Sequence, residues 1–254
     1  VPLGAFLSGG VDSSLVVALM QEASPSPVKT FTIGFNEPSY NEAPYAKAVA
    51  EHLGTDHREF YMPIDEAASL IPQLPDMFDE PFADSSQIPT YLVSRMAREH
   101  VTVSLSGDGG DELFAGYNRY HFTQKYWSKL ESIPLGLRKG LAPLLKTIPK
   151  GFLNAVGPMI GQQHFDHKIQ KVIDILPSTH IGEFYANLNS YWGKTSPLLN
   201  PQGAFAYNDF QGKLSGVQYL QALDFLYYLP EDIMTKVDRS SMATSLEARE
   251  PLLD

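Results

Sequence analysis

The chain contains no cysteine among its 254 residues. It therefore offers neither a disulfide framework nor a thiol nucleophile. It also has no apolar run of about 18 residues that would cross a membrane, and its N-terminus lacks the cationic stretch of a secretory signal peptide. These absences favour a globular cytoplasmic protein without a membrane partner.

Positive charge is also scarce, since 19 Lys and Arg residues stand against 29 Asp and Glu residues, a formal net charge of −10. A nucleic-acid-binding domain shows a basic stripe instead, so no nucleic-acid partner is expected. Any site for a polyphosphate must then be made positive locally, by backbone amides, Mg²⁺ and a few placed cations.

Strand-like and helix-like segments alternate over residues 1–114. Apolar or β-branched runs predict strands at Leu3–Leu7, Thr30–Phe35, Arg58–Tyr61 and Val101–Leu105. Periodic segments predict helices at Ser13–Ala23, Glu42–Leu53, Asp65–Phe78 (broken by its prolines) and Ile88–Glu99. This alternation is typical of βαβ units, so the predicted fold class is α/β, a parallel sheet with helices on both faces. Ligands of such sheets bind beyond the carboxyl ends of the strands.

Residues 115–254 have a different character. Alternation fades and prolines separate helical segments, which predicts a mostly helical region that packs on the sheet core and completes its site. Turn-forming residues predict loops at Leu145–Gly161 and Thr195–Gln211. Because the chain opens inside a core strand and stops abruptly, we expect it to be truncated at both ends.

The most informative motif is Leu7-Ser8-Gly9-Gly10-Val11-Asp12-Ser13-Ser14, between the first predicted strand and an apolar helix. A glycine turn lets backbone N–H groups approach an anion, and a helix N-terminus adds positive potential, so a nucleotide phosphate is the expected ligand. The lysine of a P-loop is absent. In its place stands Asp12, an oxygen ligand suited to Mg²⁺ on phosphates. The alternative is a turn that only links strand to helix.

A second motif, Val103-Ser104-Leu105-Ser106-Gly107-Asp108-Gly109-Gly110-Asp111-Glu112, also follows a β-branched run. Its glycines would let Asp108 and Asp111 reach a phosphate-bound metal while the backbone contacts the nucleotide. The alternative is an exposed acidic turn. Because both motifs follow strands of one parallel sheet, they are predicted to share an edge.

A third segment, Leu229–Ala243, begins with a proline and two acids that favour a helix start. Asp232, Lys236 and Arg239 are spaced to share one helix face. A surface helix with an ordinary ion pair and a helix that aims two cations at a phosphate site both explain this spacing. Composition leaves the choice open.

Together these segments resemble the synthetase domain of glutamine-dependent asparagine synthetases, which are N-type ATP pyrophosphatases with an adenine nucleotide α-hydrolase-like fold. The resemblance rests on SGGVDSS, KTFTIGF, Asp79–Asp84, LSGDGGDELFAGY and KVDRSSMATSLEAREPLLD, in this order along nearly the whole chain. It implies one synthetase domain, in which ATP adenylates the side-chain carboxylate of aspartate. Ammonia then attacks β-aspartyl-AMP to give asparagine, AMP and pyrophosphate.

The resemblance also implies a role for each site residue. The nucleotide-binding residues would be Leu7 and Ile33 at the adenosine, Ser106 and Gly107 at the nucleotide, and Ser8, Gly9, Gly10, Asp12 and Ser13 at the pyrophosphate. Asp12 and Asp111 would ligate Mg²⁺. Lys236 would stabilise charge on the α-phosphate, and Asp108 would be catalytic, although many family members have a glutamate there.

The same resemblance implies an N-terminal glutaminase domain whose first residue is a cysteine nucleophile. Without cysteine, this chain alone is expected to use free ammonia. Two enzymatic alternatives share the ATP machinery: a cyclase like the β-lactam synthetases, and an amidotransferase that acts on another acid. A catalytically silent nucleotide-binding module is the third alternative for the function. Whether the protein forms a homodimer is a separate open question.

Overall fold

The computed structural model describes residues 1–38, 40–159, 165–189, 212–214 and 216–254. The chain forms two compact units, one made of Val1–Gly116 with Phe225–Asp254 and the other of Tyr117–Asp224. The division predicted from the sequence, 1–114 and 115–254, assigns residues 225–254 to the mostly helical region. In the structure, Phe225–Asp254 returns to the unit that holds the sheet.

The sheet has five parallel strands in the order β3-β2-β1-β4-β5. The strands are β1 (Leu3–Phe6), β2 (Lys29–Gly34), β3 (Asp56–Tyr61), β4 (Val103–Leu105) and β5 (Glu247–Arg249). The predicted parallel sheet is thereby confirmed, with strand ends that differ from the predicted ones by at most two residues. Strand β5 was not predicted, because the sequence Glu-Ala-Arg contains no apolar run.

The α-helices of the described residues fall between these strands and in the second unit. In chain order they are α1 (Val11–Ala23), α2 (Ala43–Leu53), α3 (Ile64–Leu70), α4 (Leu74–Phe78), α5 (Gln87–Arg98), α6 (Gly110–Phe114), α7 (Asn118–Glu131), α8 (Leu135–Lys146), α9 (Lys150–Met159), α10 (Phe165–Ile175), α11 (Ile181–Asn189), α12 (Gly216–Leu223) and α13 (Thr235–Met242). A π-helical segment, Asp224–Met234, precedes α13. None of the described helices is long and apolar enough to span a bilayer.

Two of the loop predictions have different outcomes. The prediction for Leu145–Gly161 is wrong, because α9 occupies most of it. Its proline, Pro158, lies in the last turn, and Leu153 is buried, so packing outweighs the turn-forming residues. The predicted loop Thr195–Gln211 lies outside the described residues. The predicted break in Asp65–Phe78 is confirmed by a 3₁₀ turn at Ile71–Gln73.

Apolar side chains pack on both faces of the sheet. One cluster joins β1 to α1 and α2, and consists of Ala5, Leu7, Val17, Ala46 and Ala50. The other joins β2 to α5, and consists of Phe31, Val93, Ala97, Val101 and Leu246. Helices therefore cover both faces, as parallel strands with two apolar faces require. Leu246 ties the end of the chain into this core.

The second unit contains a buried carboxylate at Asp224, which is 4% exposed. One oxygen of this group accepts hydrogen bonds from Arg119 (2.7 Å), Tyr120 (2.6 Å) and Tyr185 (2.7 Å). Burial, together with the adjacent negative charge, raises the pKa of Tyr120 and Tyr185 far above the ordinary tyrosine value. Both hydroxyls therefore remain protonated donors to Asp224.

Candidate functional site

The first glycine turn, Ser8–Gly10, lies directly beyond the carboxyl end of β1. Its serine closes onto the following helix, because the Ser8 N–H donates to Ser13 Oγ (3.2 Å) and the two hydroxyls are 2.9 Å apart. Gly9 has φ +82°, and a β-carbon there would lie 2.6 Å from the backbone nitrogen of Ala46. Only glycine fits this turn without strain.

The turn leads into the N-terminus of α1. Gly10 is the N-cap residue, and no side chain in the described part of the chain caps it. The N–H groups of the first helical turn are therefore not taken up by a capping side chain and can bind an anion. Asp12 stands in this turn, and burial raises the pKa of its carboxyl above the ordinary value.

The second glycine turn, Ser106–Gly110, lies beyond the carboxyl end of β4. The Ser106 N–H donates to the Arg249 carbonyl (2.8 Å), which extends the pairing of β4 with β5. The Ser106 hydroxyl donates to the carboxylate of Asp108, whose own N–H donates back to Ser106 Oγ (3.2 Å). The Asp108 side chain therefore folds onto its own turn.

The second turn is in direct contact with the start of α1, the helix that follows the first turn. A β-carbon on Gly107 would lie 2.6 Å from the Ser13 nitrogen, and one on Gly110 would lie 2.4 Å from Asp12 Cγ. Since β1 and β4 are parallel neighbours, both turns lie at one edge of the sheet. The structure thus brings the Asp12 carboxylate against the residue that precedes Asp111.

Asp111 is the second residue of the short helix α6. Its carboxylate lies against Gly116, where a β-carbon would be 2.0 Å from Asp111 Oδ1. Mg²⁺ sites commonly use one or two carboxylates with phosphate oxygens and water as the other ligands. No group of three or more His, Cys, Asp or Glu side chains that could hold a metal occurs among the residues that the structure describes. The role of Asp12 and Asp111 as ligands of Mg²⁺ stays a prediction.

Lys236 lies on the buried face of α13 and is 9% exposed. Its Nζ is 3.0 Å from Asp84 Oδ2, in the segment that precedes α5. Burial by itself would raise the pKa of Asp84, but hydrogen bonds from Ser86 and the charge of Lys236 outweigh it, so the pKa lies below its ordinary value. The surface-helix interpretation is thus wrong for Lys236, because α13 packs against α5.

Arg239, one turn further along α13, pairs with Asp79 at 2.8 Å in an exposed position. Both cations of this helix therefore meet carboxylates of the Asp79–Asp84 segment. Sequence reasoning included that segment in the family resemblance but missed its ion pairs, because partners so far apart in the chain leave no periodic signal.

Leu7 and Ile33, the two residues predicted at the adenosine, lie in the core. Leu7 is 1% exposed and belongs to the cluster between β1, α1 and α2. Its N–H donates to the Phe31 carbonyl (2.9 Å) and its carbonyl accepts from the Thr32 hydroxyl. Ile33 is partly buried against the other cluster. Their adenosine contacts stay a prediction.

Glu250 is a further carboxylate of this edge that sequence reasoning did not single out. It follows β5 directly, and burial, then the negative charge of Asp108, raises the pKa of its carboxyl. Its position in the motif KVDRSSMATSLEAREPLLD could have indicated it. Glu250 follows Arg249, whose carbonyl accepts the hydrogen bond from the Ser106 N–H.

A five-stranded parallel sheet with helices on both faces and glycine turns at its carboxyl edge defines an α/β protein of the adenine nucleotide α-hydrolase-like class. The family model for asparagine synthase matches residues 1–254. The chain belongs to the asparagine synthase family.

Several curated proteins are similar in sequence to this chain. An asparagine synthetase (glutamine-hydrolyzing) 1 of Bacillus subtilis is 34% identical over 259 residues, covering 100% of this chain and 39% of the relative. A putative asparagine synthetase (glutamine-hydrolyzing) of Mycobacterium bovis is 32% identical, covering 100% and 38%. One from Methanocaldococcus jannaschii is 52% identical over 118 residues, covering 46% and 23%. The chain thus spans about two fifths of the length of the Bacillus and Mycobacterium relatives, which it matches along its whole length.

Proposed function

We propose that this protein catalyses ATP-dependent amidation of the aspartate side chain, through β-aspartyl-AMP, to give asparagine, AMP and pyrophosphate. The observation that supports this most directly is the contact between the Asp12 carboxylate and Gly110. This contact supports the proposal because one bound nucleotide would then contact the segments that follow both β1 and β4. Membership of the asparagine synthase family supports the choice of reaction.

The nucleotide would bind along the shared edge of β1 and β4. The pyrophosphate portion would lie on the N–H groups of the first turn and of α1, next to the hydroxyls of Ser8 and Ser13. Ser106 and Gly107 would contact the nucleotide through their backbone, with Leu7 and Ile33 toward the adenosine. A negatively charged protein can hold ATP here because the amides supply local positive potential.

Asp12 and Asp111 would hold Mg²⁺ together with the phosphate oxygens. The bound metal would neutralise phosphate charge and polarise the bond to the leaving pyrophosphate. Without it, the two carboxylates would repel ATP, because all the groups are anionic. The raised pKa of Asp12 has burial as its cause, and a cation at this carboxylate would offset that burial.

In the first step an oxygen of the aspartate side chain attacks the α-phosphorus, and the bond from that phosphorus to the bridging oxygen breaks to release pyrophosphate. Lys236 would stabilise the negative charge that builds on the α-phosphate oxygens. Ammonia then attacks the activated carbonyl carbon, AMP leaves with the bridging oxygen, and the nitrogen loses a proton. Asp108 would assist formation of the intermediate.

The ammonia would come from a glutaminase domain of the complete protein. The curated relatives are longer than this chain and are named glutamine-hydrolyzing. The 254 residues hold no cysteine, so the thiol nucleophile of a glutaminase would lie in another part of the protein.

ATP–pyrophosphate exchange with radiolabelled pyrophosphate tests the proposal. Exchange that depends on both Mg²⁺ and aspartate is the expected result. Exchange with a different carboxylic acid would show that a related adenylating enzyme is present instead. No exchange with any acid tried, from a protein that binds ATP, would identify a silent nucleotide-binding module and overturn the proposal.

A further inference from the structure

The ammonium group of Lys236, on α13, is held by Asp84, a residue that is distant in sequence. The Lys236 side chain is 11% exposed, and its Nζ lies 3.0 Å from Oδ2 of Asp84, which is 17% exposed. In the part of the chain that the structure describes, Asp84 is the carboxylate that pairs with this lysine. One of the three ammonium protons meets Asp84, which leaves two to donate to another acceptor.

The Asp84 carboxylate is itself held on its other oxygen. Oδ1 accepts hydrogen bonds from the Ser86 N–H (2.8 Å) and the Ser86 hydroxyl (2.7 Å). Each oxygen therefore has a separate partner, and the group cannot rotate without breaking one set of bonds. This is more constraint than an ordinary ion pair provides.

The backbone around Ser86 is also tied to α13. Gln87, the first residue of α5, accepts a hydrogen bond at its carbonyl from the Ser240 hydroxyl (3.3 Å). Gln87 is 8% exposed and Ser240 is fully buried. Since Ser240 follows Lys236 by one helical turn, this hydrogen bond is a second connection between α13 and the segment that holds Asp84.

We propose that Asp84, oriented by Ser86, is a positioning residue that holds the ammonium group of Lys236 in its reactive orientation. The inference rests on the proposed function, because that function gives Lys236 its task at the α-phosphate. A lysine has a flexible four-carbon stem, and electrostatic catalysis depends on donors that are in place before charge develops. Asp84 orients the ammonium group before charge develops on the substrate, and it leaves two N–H donors of Lys236 available.

The chain offers a matched control in the Asp79–Arg239 pair. It joins the same segment to the same helix at 2.8 Å, but its side chains are 71% and 46% exposed. Asp79→Asn therefore removes an ion pair between these elements without touching Lys236. A comparison of Asp79→Asn with Asp84→Asn therefore separates an effect on the orientation of Lys236 from a general loss of contact between the Asp79–Asp84 segment and α13.

The test is a double-mutant cycle in the protein as it is encoded, with aspartate-dependent ATP–pyrophosphate exchange as the readout. The proteins are the wild type, Asp84→Asn, Lys236→Ala and the double variant. We expect Asp84→Asn to lower the maximal exchange rate about 10²-fold, as misplacement of a catalytic group does, with little change in the KM for ATP. In the Lys236→Ala background the same substitution changes the rate by less than about two-fold, because its effect passes through the lysine.

An equal rate loss in both backgrounds would overturn the inference, since Asp84 would then act independently of Lys236. A rate loss of the same size in Asp79→Asn would overturn it as well, because docking would explain both. Wild-type protein with no exchange for any acid would instead overturn the proposed function, and the inference with it.

Asp84→Asn can fail to fold, so Ser86→Ala serves as a second variant. It leaves the carboxylate and the lysine in place but removes one of the two bonds from Ser86. We expect an exchange rate between those of the wild type and Asp84→Asn, with a similarly unchanged KM for ATP. A wild-type rate for a folded Ser86→Ala protein would contradict the part assigned to Ser86.

Discussion

The carboxylate of Asp12 lies against the α-carbon of Gly110. A β-carbon on Gly110 would be 2.4 Å from Cγ and 2.7 Å from Oδ2 of Asp12. Asp12 lies in the first turn of α1, after the glycine turn that follows β1, and Gly110 lies in the glycine turn that follows β4. This contact joins the turns into one edge, and the position of Asp12 depends on the absence of a side chain at Gly110.

The first prediction concerns Gly110→Ala. The added methyl group forces the Asp12 side chain out of its position, because α1 fixes the Asp12 backbone, and the exchange rate falls about 10²-fold as for other small misplacements. Gly140→Ala, in the interior of α8, is the control, since nothing lies within 4 Å of its added β-carbon. That variant keeps its activity and gains up to about 1 kcal/mol of stability. Full activity in Gly110→Ala would contradict the assigned role of Asp12.

The second prediction concerns Lys236→Ala. Loss of one placed electrostatic donor typically lowers a rate by about 10²–10³-fold. We expect the maximal exchange rate to fall by that factor, with circular dichroism showing that the fold persists. Lys47→Ala, which removes an exposed cation from the pair with Glu59 (3.8 Å), is the control with a wild-type rate. Near-normal exchange by Lys236→Ala would rule out the role of this lysine.

The third prediction is a dependence of stability on pH that comes from Asp84. Its folded-state pKa lies below the ordinary value, so the carboxylate stabilises the fold at neutral pH. That contribution is lost as the pH falls from the unfolded-state value, about 3.9, through the folded-state pKa. Asp84→Asn is expected to be less stable at pH 7 but to lose less stability on acidification, in urea unfolding from pH 7 to pH 2.5. Parallel curves for the two proteins would contradict the prediction.

The fourth prediction concerns the second unit. Asp224→Asn keeps the shape of the side chain but leaves Arg119, 22% exposed, without the negative charge 2.7 Å away. Removal of one partner from a buried pair costs about 3 kcal/mol or more, so the urea midpoint falls strongly. Glu247→Gln, from an exposed pair with Arg249, is the control and changes stability by less than about 1 kcal/mol. Equal midpoints for the two variants would show that Asp224 is not a strong contributor.

Local sequence patterns predicted much of the fold. The runs that predicted β1, β2 and β4 are apolar or β-branched because much of each of these strands is buried in the sheet. The pattern did not reveal β5, whose three residues are placed by pairing with β4 and by the burial of Leu246. It also misjudged α9, where tertiary packing outweighs glycine and proline.

By itself, the sequence determined the parallel α/β architecture and the two glycine turns beyond strand ends, because periodicity and turn chemistry are local properties. The choice of Lys236 came from the family resemblance, and its role stays a prediction. The tertiary structure alone decided that Gly110 lies against Asp12 and that Lys236 pairs with Asp84. These contacts join residues on separate elements, and no short-range pattern encodes them. They follow from the parallel order of the strands and from the packing of α13 on α5, which only the folded chain brings about.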